Sequence, residues 1–254
     1  MFDSTKRFSS RVENYVRFRP GYPPGIVELL RDKYGLTEDS MVADVGSGTG
    51  LLSRVFLDAG LSVTGVEPNR EMRDAGDALL AGYALFRSTD GTAEATTLAD
   101  SSVDLMTAAQ AFHWFDVEAT RREWLRVLCP NGAAALIWNE RFIDTPFMGE
   151  AEAITDKYAA AGDPEGKIRE AGRGRIGGLF GPSGFRVDEF PNHQMFDFAG
   201  LVGRISSSSC LPMAGEPAHK EMSEELRVVF EKWAEDGLVR FLYRTKVFHG
   251  RLRS

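Results

Sequence analysis

The chain is poor in the residues on which several functional classes depend. Of its 254 residues only two are cysteine, Cys129 and Cys210, and neither stands in a C-x-x-C pair, too few for a disulfide framework. The four histidines are scattered and form no cluster with metal-ligand spacing, so no metal is expected. No stretch approaches the roughly 18 apolar residues of a membrane span. Met1-Phe-Asp-Ser-Thr-Lys-Arg7 lacks the apolar segment of a signal peptide, so a cytoplasmic protein with no membrane partner is expected. The net charge of −7 gives none of the basic excess that marks a nucleic-acid footprint. No G-x-x-x-x-G-K-[ST] is present, which removes a P-loop. Internal repeats and low-complexity tracts are missing as well.

What is present is organised around Met41-Val-Ala-Asp-Val-Gly-Ser-Gly-Thr-Gly50. Apolar residues around one acid, then glycines at alternate positions, predict a buried strand entering a tight loop. Leu51, Leu52, Val55, Phe56 and Ala59 repeat at helical spacing, with Gly60 as the stop. Strand, glycine loop and helix open a nucleotide-binding α/β unit. A dinucleotide site has G-x-G-x-x-G around a pyrophosphate, whereas here the order is Asp44-x-Gly46-x-Gly48-x-Gly50. A carboxylate two residues before the first glycine repels phosphate and suits an ammonium or sulfonium. The next strand, Ser62 to Val66, ends at Glu67, about 20 residues past the first glycine, where a ribose-binding acid is expected. Together these imply an adenosine-containing cofactor with a cationic, phosphate-free tail.

Hydrophobic residues make up 43% of the chain and charged ones 26%, as in an ordinary globular protein. Arg7, Arg11, Arg17 and Arg19 interleave with Phe8, Tyr15 and Phe18 in a polar leader. Pro23-Pro24 opens a helix with Ile26, Leu29, Leu30 and Tyr34 on one face and Gly35 at its end. Strands are expected at 41–45, 62–66, 83–87, 103–109 and 133–138. A helix is expected over 69–81 with Met72, Ala75, Leu79 and Leu80 inward. Another follows Asp116, its N-cap, and carries Val117, Trp124, Leu125 and Leu128. Pro130-Asn-Gly132 is read as a break before the fifth strand. This alternation calls for an α/β fold, a doubly wound, mostly parallel sheet covered on both faces. After a helix-like piece at 146–160, Gly162, Gly166, Gly172, Gly174, Gly177, Gly178 and Gly181 suggest an irregular, mobile cap. Segments 185–190 and 194–198 alternate like strands, Met222, Leu226, Val229 and Trp233 line a late helix, and 239–248 reads as a last strand.

Asp44-Val-Gly-Ser-Gly-Thr-Gly50 and Val66-Glu-Pro68 resemble the first two motifs of the class I S-adenosylmethionine-dependent methyltransferases (methyltransferase type 11). Tyr15-Val-Arg-Phe-Arg-Pro-Gly-Tyr-Pro23 and Phe112-His-Trp-Phe-Asp116 are similar to segments of the trans-aconitate methyltransferase-like group. The resemblance is good from about Phe8 to Asn139 and weak beyond. It implies one Rossmann-like domain over 1–254 with seven strands: an N-terminal lid and first helix (1–36), a cofactor-binding core (37–140), a helical cap insertion (141–184) and C-terminal strands and helices (185–254).

The implied cofactor is S-adenosyl-L-methionine. Asp44 answers its ammonium, Gly46, Ser47 and Gly48 let it approach the backbone, and Glu67, followed by Pro68, takes the ribose hydroxyls. Thr92 stands where an aspartate commonly accepts from adenine, and Ala93 offers a backbone N–H. Gln110, Tyr15 and Arg19 complete the cofactor side. Asp90 and Glu94 are expected to face solvent, and Phe112 and Phe115 to be core. His113 and Trp114 are expected to face the pocket, with Tyr22 beside them on the acceptor side and His113 as the candidate base. Arg17, Arg19 and Arg204 lie in segments able to close over the pocket and suit an anionic small molecule. The resemblance thus implies methyl transfer to a small molecule, on oxygen, with a carboxylate among the candidate acceptors. The alternative is a protein that binds the cofactor or its demethylated product without transfer.

Overall fold

The computed structural model describes residues 18–159, 175–208 and 210–253. Met41, two valines and Ala43 around one acid make β1 (Met41–Val45), which is buried almost throughout. It is the third strand of a seven-stranded sheet of order β3-β2-β1-β4-β5-β7-β6. The other strands are β2 (Ser62–Val66), β3 (Phe86–Thr89), β4 (Val103–Ala109), β5 (Leu128–Arg141), β6 (Arg186–Phe196) and β7 (Val239–Gly250). Strands β1 to β5 pair in parallel, and β7 runs antiparallel to both β5 and β6. The expected doubly wound sheet is therefore present, closed at one side by an antiparallel ribbon.

Because successive strand residues face opposite ways, β1 splits its side chains between two cores. Val42 joins Ile26 and Leu30 of α1 (Gly25–Tyr34) and Phe56 of α2 (Leu51–Asp58). Ala43 and Val45 face the other layer, where Trp124 of α4 (Val117–Val127) is fully buried beside Phe112 and Trp138. Helix α3 (Arg70–Leu80) closes the crossover from β2 to β3, its first turn capped by Asn69, whose side chain accepts from the Met72 amide. A third core lies over the ribbon, where α5 (Pro146–Tyr158), α7 (Phe198–Ser206) and α8 (Pro217–Trp233) gather Phe147, Leu201 and Leu226 around Phe241. No helix among the described residues is long and apolar enough to cross a membrane.

Several expectations are corrected. Strand β3 begins at Phe86, not residue 83, because the Tyr83 amide is still bonded to the Leu80 carbonyl in the turn that ends α3. Leu79 is exposed on that helix, and Gly76 takes the inward position against the glycine loop, where the Gly48 carbonyl would lie 3.2 Å from an added Cβ. Pro130-Asn-Gly132 does not break the chain: β5 runs through it, with the irregularity absorbed as a register shift against β4. The two pieces at 185–198 form one strand, β6, in which Pro191 is tolerated because β6 is the sheet edge. Gly177 and Gly178 do not belong to a mobile cap. They lie in α6 (Ile176–Phe180), whose Ile176, Leu179 and Phe180 are buried with α4. Gly162, Gly166, Gly172 and Gly174 lie outside the described residues.

Asp116 caps α4 as expected, its carboxylate accepting from the Ala119 amide at 2.8 Å. Asp116→Ala is expected to lower unfolding stability by about 1 kcal/mol in urea titration, the usual worth of an N-cap. A midpoint unchanged at equal slope would contradict the assignment.

Candidate functional site

The order of strands reverses between β1 and β4, and the cleft beyond their carboxyl ends is where open α/β sheets bind ligands. A cavity of about 320 Å³ opens there, lined by the glycine loop, the end of β2, the 92–94 turn and the residues after β4. The loop reaches this position by left-handed turns at Gly46 (φ +66°), Gly48 (φ +57°) and Gly50 (φ +80°), a region that favours glycine. The Gly46 amide donates to the Val66 carbonyl at 2.8 Å, which ties the loop to β2.

Glu67 follows β2 and is 8% exposed. One carboxylate oxygen accepts from the Gly48 amide at 2.8 Å and the other from the Asn69 amide at 2.9 Å. Each oxygen has a second lone-pair site, so the group can still accept from two adjacent hydroxyls. Burial raises its pKa above the usual glutamate value, opposed by those two amides and by Arg73. Pro68, Thr92 and Ala93 also line the cavity, with Thr92 exposed and Ala93 buried. Gln110 lines it in a left-handed conformation (φ +56°), its side-chain amide donating to the Asn139 carbonyl at 3.0 Å.

Behind the loop lies a smaller space of about 20 Å³, lined by Tyr22, Asp44, Gly46, Ser47, Thr49 and Ala109 among others. Gly46 and Ala109 border both spaces. Asp44 is 1% exposed, and its carboxylate accepts from Ser53 Oγ at 2.7 Å and Thr107 Oγ1 at 3.3 Å. Burial pushes its pKa up to about 6 from 3.8, with the two hydroxyls acting against that rise. Above pH 6 the group is a buried anion with no counter-charge among the described residues, a setting that accepts a cation.

The expected site residues divide as follows. Asp44, Gly46, Ser47, Gly48, Glu67, Pro68, Thr92, Ala93, Gln110 and Trp114 come together around the two spaces. Tyr22 borders only the smaller one, away from the mouth of the main cleft. His113 is not among the lining residues. It is 7% exposed, its ring lies 4.8 Å from that of Trp114, and the short 3-10 turn Phe112–Trp114 sends only the tryptophan into the cleft. Arg19 is also absent from the lining; its guanidinium donates to the Ser207 carbonyl at 3.4 Å. Tyr15 and Arg17 lie outside the described residues.

Glu94 is a second correction. Expected in solvent, it lines the cleft and accepts from the Asp116 amide at 2.8 Å, holding the turn after β4. Asp90 is exposed as expected. Phe115 is largely buried, as core was expected to be, yet also lines the cleft. Sequence reasoning missed Asn69 and Met72 as lining residues. The signal was available for both: an N-cap and the first inward residue of a crossover helix necessarily lie next to the strand end that precedes them.

A buried acid faces each space, beside a loop with glycine at alternate positions, and this matches a ligand with a ribose at one end and a cation at the other. Asp44 gives this match a pH signature. Affinity for S-adenosylhomocysteine, which carries the ammonium, is expected to fall as pH drops through 6, where Asp44 takes up its proton. Stability runs the other way for this group. Its folded pKa is above the unfolded one, so the burden of the buried charge is relieved as pH falls from 6 towards 3.8. Asp44→Asn should remove the step in affinity. Calorimetry from pH 5 to 8 checks it, and an equal step in the variant would acquit Asp44.

Comparison with known proteins agrees with this geometry. A family model described as a methyltransferase domain matches residues 43–136. An uncharacterized methyltransferase of Schizosaccharomyces pombe is 30% identical over 232 residues, 88% of each chain. One of Mycobacterium tuberculosis is 39% identical over 162 residues, 64% of this chain and 63% of its own length. Among solved structures, a candidate type II methyltransferase from Anaeromyxobacter dehalogenans aligns with a TM-score of 0.69 over 93% of this chain and 99% of that one. Its identity is 20%, so it speaks to the fold alone.

Proposed function

Since the chain belongs to the class I S-adenosylmethionine-dependent methyltransferases, we propose that it moves the donor's methyl group to an oxygen of a small molecule, with a carboxylate as the acceptor. Kinship with the trans-aconitate methyltransferase-like group is part of the same proposal. When bound, S-adenosylmethionine supplies an electrophilic methyl group on a cationic sulfur.

The protein's share is to hold and to shield. Glu67 accepts from the ribose hydroxyls while the Gly48 and Asn69 amides keep its carboxylate in place. Asp44 meets the ammonium end, and Ser47 and the bare backbone at Gly46 line the path between. Ala93 and Thr92 border the adenine, Gln110 fixes the far wall through Asn139, and Trp114 and Phe115 exclude water. Tyr22 bounds the methionine end. In-line displacement gains most of its rate from such positioning.

The observation that supports the reading is the pairing of Glu67 with the Gly48 amide: the acid proposed to take the ribose is bonded to a loop that an acid at position 44 makes hostile to phosphate. For the acceptor, the titratable side chains described around the cleft are Glu67 and Glu94, each holding a backbone amide. His113, the candidate base, is turned aside. An acceptor that arrives ionised needs no base, which favours a carboxylate over an alcohol or amine. A panel of small carboxylic acids, phenols and amines incubated with methyl-labelled donor tests this. Label on carboxylic acids is expected; label only on RNA, or only on amines, would overturn it.

A further inference from the structure

Thr49 stands between two glycines of the loop and is 1% exposed. Its hydroxyl is covered and has no hydrogen-bond partner among the described residues. A buried hydroxyl left unpaired is costly, and a valine would fill the same volume without that cost. The loop has no slack behind it, since a Cβ added at Gly76 of α3 would stand 3.4 Å from the Thr49 carbonyl carbon. Thr120 also carries an unpaired buried hydroxyl, but it lines neither of the two spaces. Thr49 lines the smaller one, with Asp44 and Tyr22. The loop's other hydroxyl is turned to β2: Ser47 Oγ lies 2.9 Å from where a Cβ would sit on Gly65.

The smaller space has room for one small group at the tip of a longer ligand. Its volume of about 20 Å³ exceeds the roughly 10–15 Å³ that a single water needs, and Gly46 and Ala109 set it against the main cleft. Helix α2 begins beside it. Leu51 and Leu52 of the first turn line the space, and the N-cap, Gly50, has no side chain to serve their N–H groups. The positive end of a helix favours an anion. Asp44, the acid already there, is served by the hydroxyl and the amide of Ser53 and by the Thr107 hydroxyl. It takes nothing from Thr49.

We propose that the Thr49 hydroxyl donates to the carboxylate of the cofactor's amino-acid end, while the ammonium on the same carbon meets Asp44. This rests on the cofactor placement proposed above and deepens it. Because ammonium and carboxylate share a carbon, a ligand whose ammonium reaches Asp44 brings a second anion close to a buried acid. That anion is tolerated only where donors face it. Thr49 and the start of α2 are the donors that Asp44 leaves unused. Thr49 is then a specificity-determining residue, selecting a zwitterionic tail over a plain amine.

Calorimetry on the full chain compares S-adenosylhomocysteine with its decarboxylated analogue, S-adenosyl-thiopropylamine, which keeps the ammonium and lacks the carboxylate. In Thr49→Val, affinity for S-adenosylhomocysteine should fall about tenfold or more, as for a lost hydrogen bond to a charged group. Affinity for the analogue should not change. Thr49→Ser keeps the hydroxyl and should recover most of the loss. Without ligand, Thr49→Val should unfold at the wild-type temperature or above it, since an unpaired buried hydroxyl is gone. A threonine held by a structural water would show the reverse. If Thr49→Val does not fold, Thr49→Ala removes the same hydroxyl and carries the same comparison of the two ligands. Equal losses for both ligands, or undiminished S-adenosylhomocysteine affinity in a folded variant, would overturn the proposal. A wild type that binds neither ligand would strike the cofactor reading beneath it, and an Asp44→Asn variant that weakens neither would strike the placement of the ammonium.

Discussion

Gly46→Ala is expected to abolish measurable S-adenosylhomocysteine binding. The residue sits at φ +66°, where a side chain is strained, and its added Cβ would stand 2.7 Å from the Ala111 Cβ. Both atoms are fixed to backbone, so neither can swing aside. Relief requires moving either the loop or the turn after β4, and both line the cleft. The loop is further tied by the Gly46 amide on the Val66 carbonyl, so its shift would also draw Gly48 away from Glu67. We expect roughly a hundredfold or greater loss of affinity and about 2–4 kcal/mol of stability, from strain and overpacking together. Gly48→Ala is the informative control. It has similar backbone strain (φ +57°), but its Cβ would meet only the flexible end of Met72 at 3.4 Å, so the loss should be smaller. Equal effects would show that the close approach to Ala111 does not matter. Wild-type affinity in Gly46→Ala would remove the loop from the site.

Glu67→Ala is expected to weaken S-adenosylhomocysteine binding by about 1–3 kcal/mol, or roughly 5- to 150-fold. The variant loses the proposed acceptor for the ribose and also leaves the Gly48 and Asn69 amides without their carboxylate. Glu67→Gln separates the two contributions. It retains one acceptor oxygen but turns an NH₂ towards one of those amides, so it should recover only part of the loss. In turnover, the Michaelis constant for the donor should rise much more than the catalytic constant falls, because the contact is made equally before and during transfer. Calorimetry on both variants decides the matter; undiminished affinity in Glu67→Ala would exclude Glu67.

The relation of sequence to structure is clearest element by element. β1, β2 and β4 were legible to the residue because their apolar runs end at a glycine loop, an acid-proline pair and a polar turn. Asp116 was legible as a cap because capping depends on atoms three residues away. Leu79 and Pro130 were misread because apolar spacing and a breaker residue are weak where the neighbouring strand decides: β4 holds the chain in register on both sides of Pro130. Glu94 was misplaced because its partner, the Asp116 amide, is 22 residues away. His113 and Trp114 could not be told apart from spacing, since a single 3-10 turn determines which ring faces inward.

By itself the sequence determined the stretch on which the proposed cofactor site rests: an acid, a bend with glycine at alternate positions and a second acid at a set interval, all carried by one β-α-β unit whose geometry follows from contacts local to it. Only the tertiary structure decided how the distant arginines are buried. Arg204, Tyr243, Arg141 and Arg19 come from four separate parts of the chain, and the pairing of β5 with β7 brings two of them together. Whether an arginine is solvated or buried among aromatic rings depends on which distant elements cover it, and no local pattern records that.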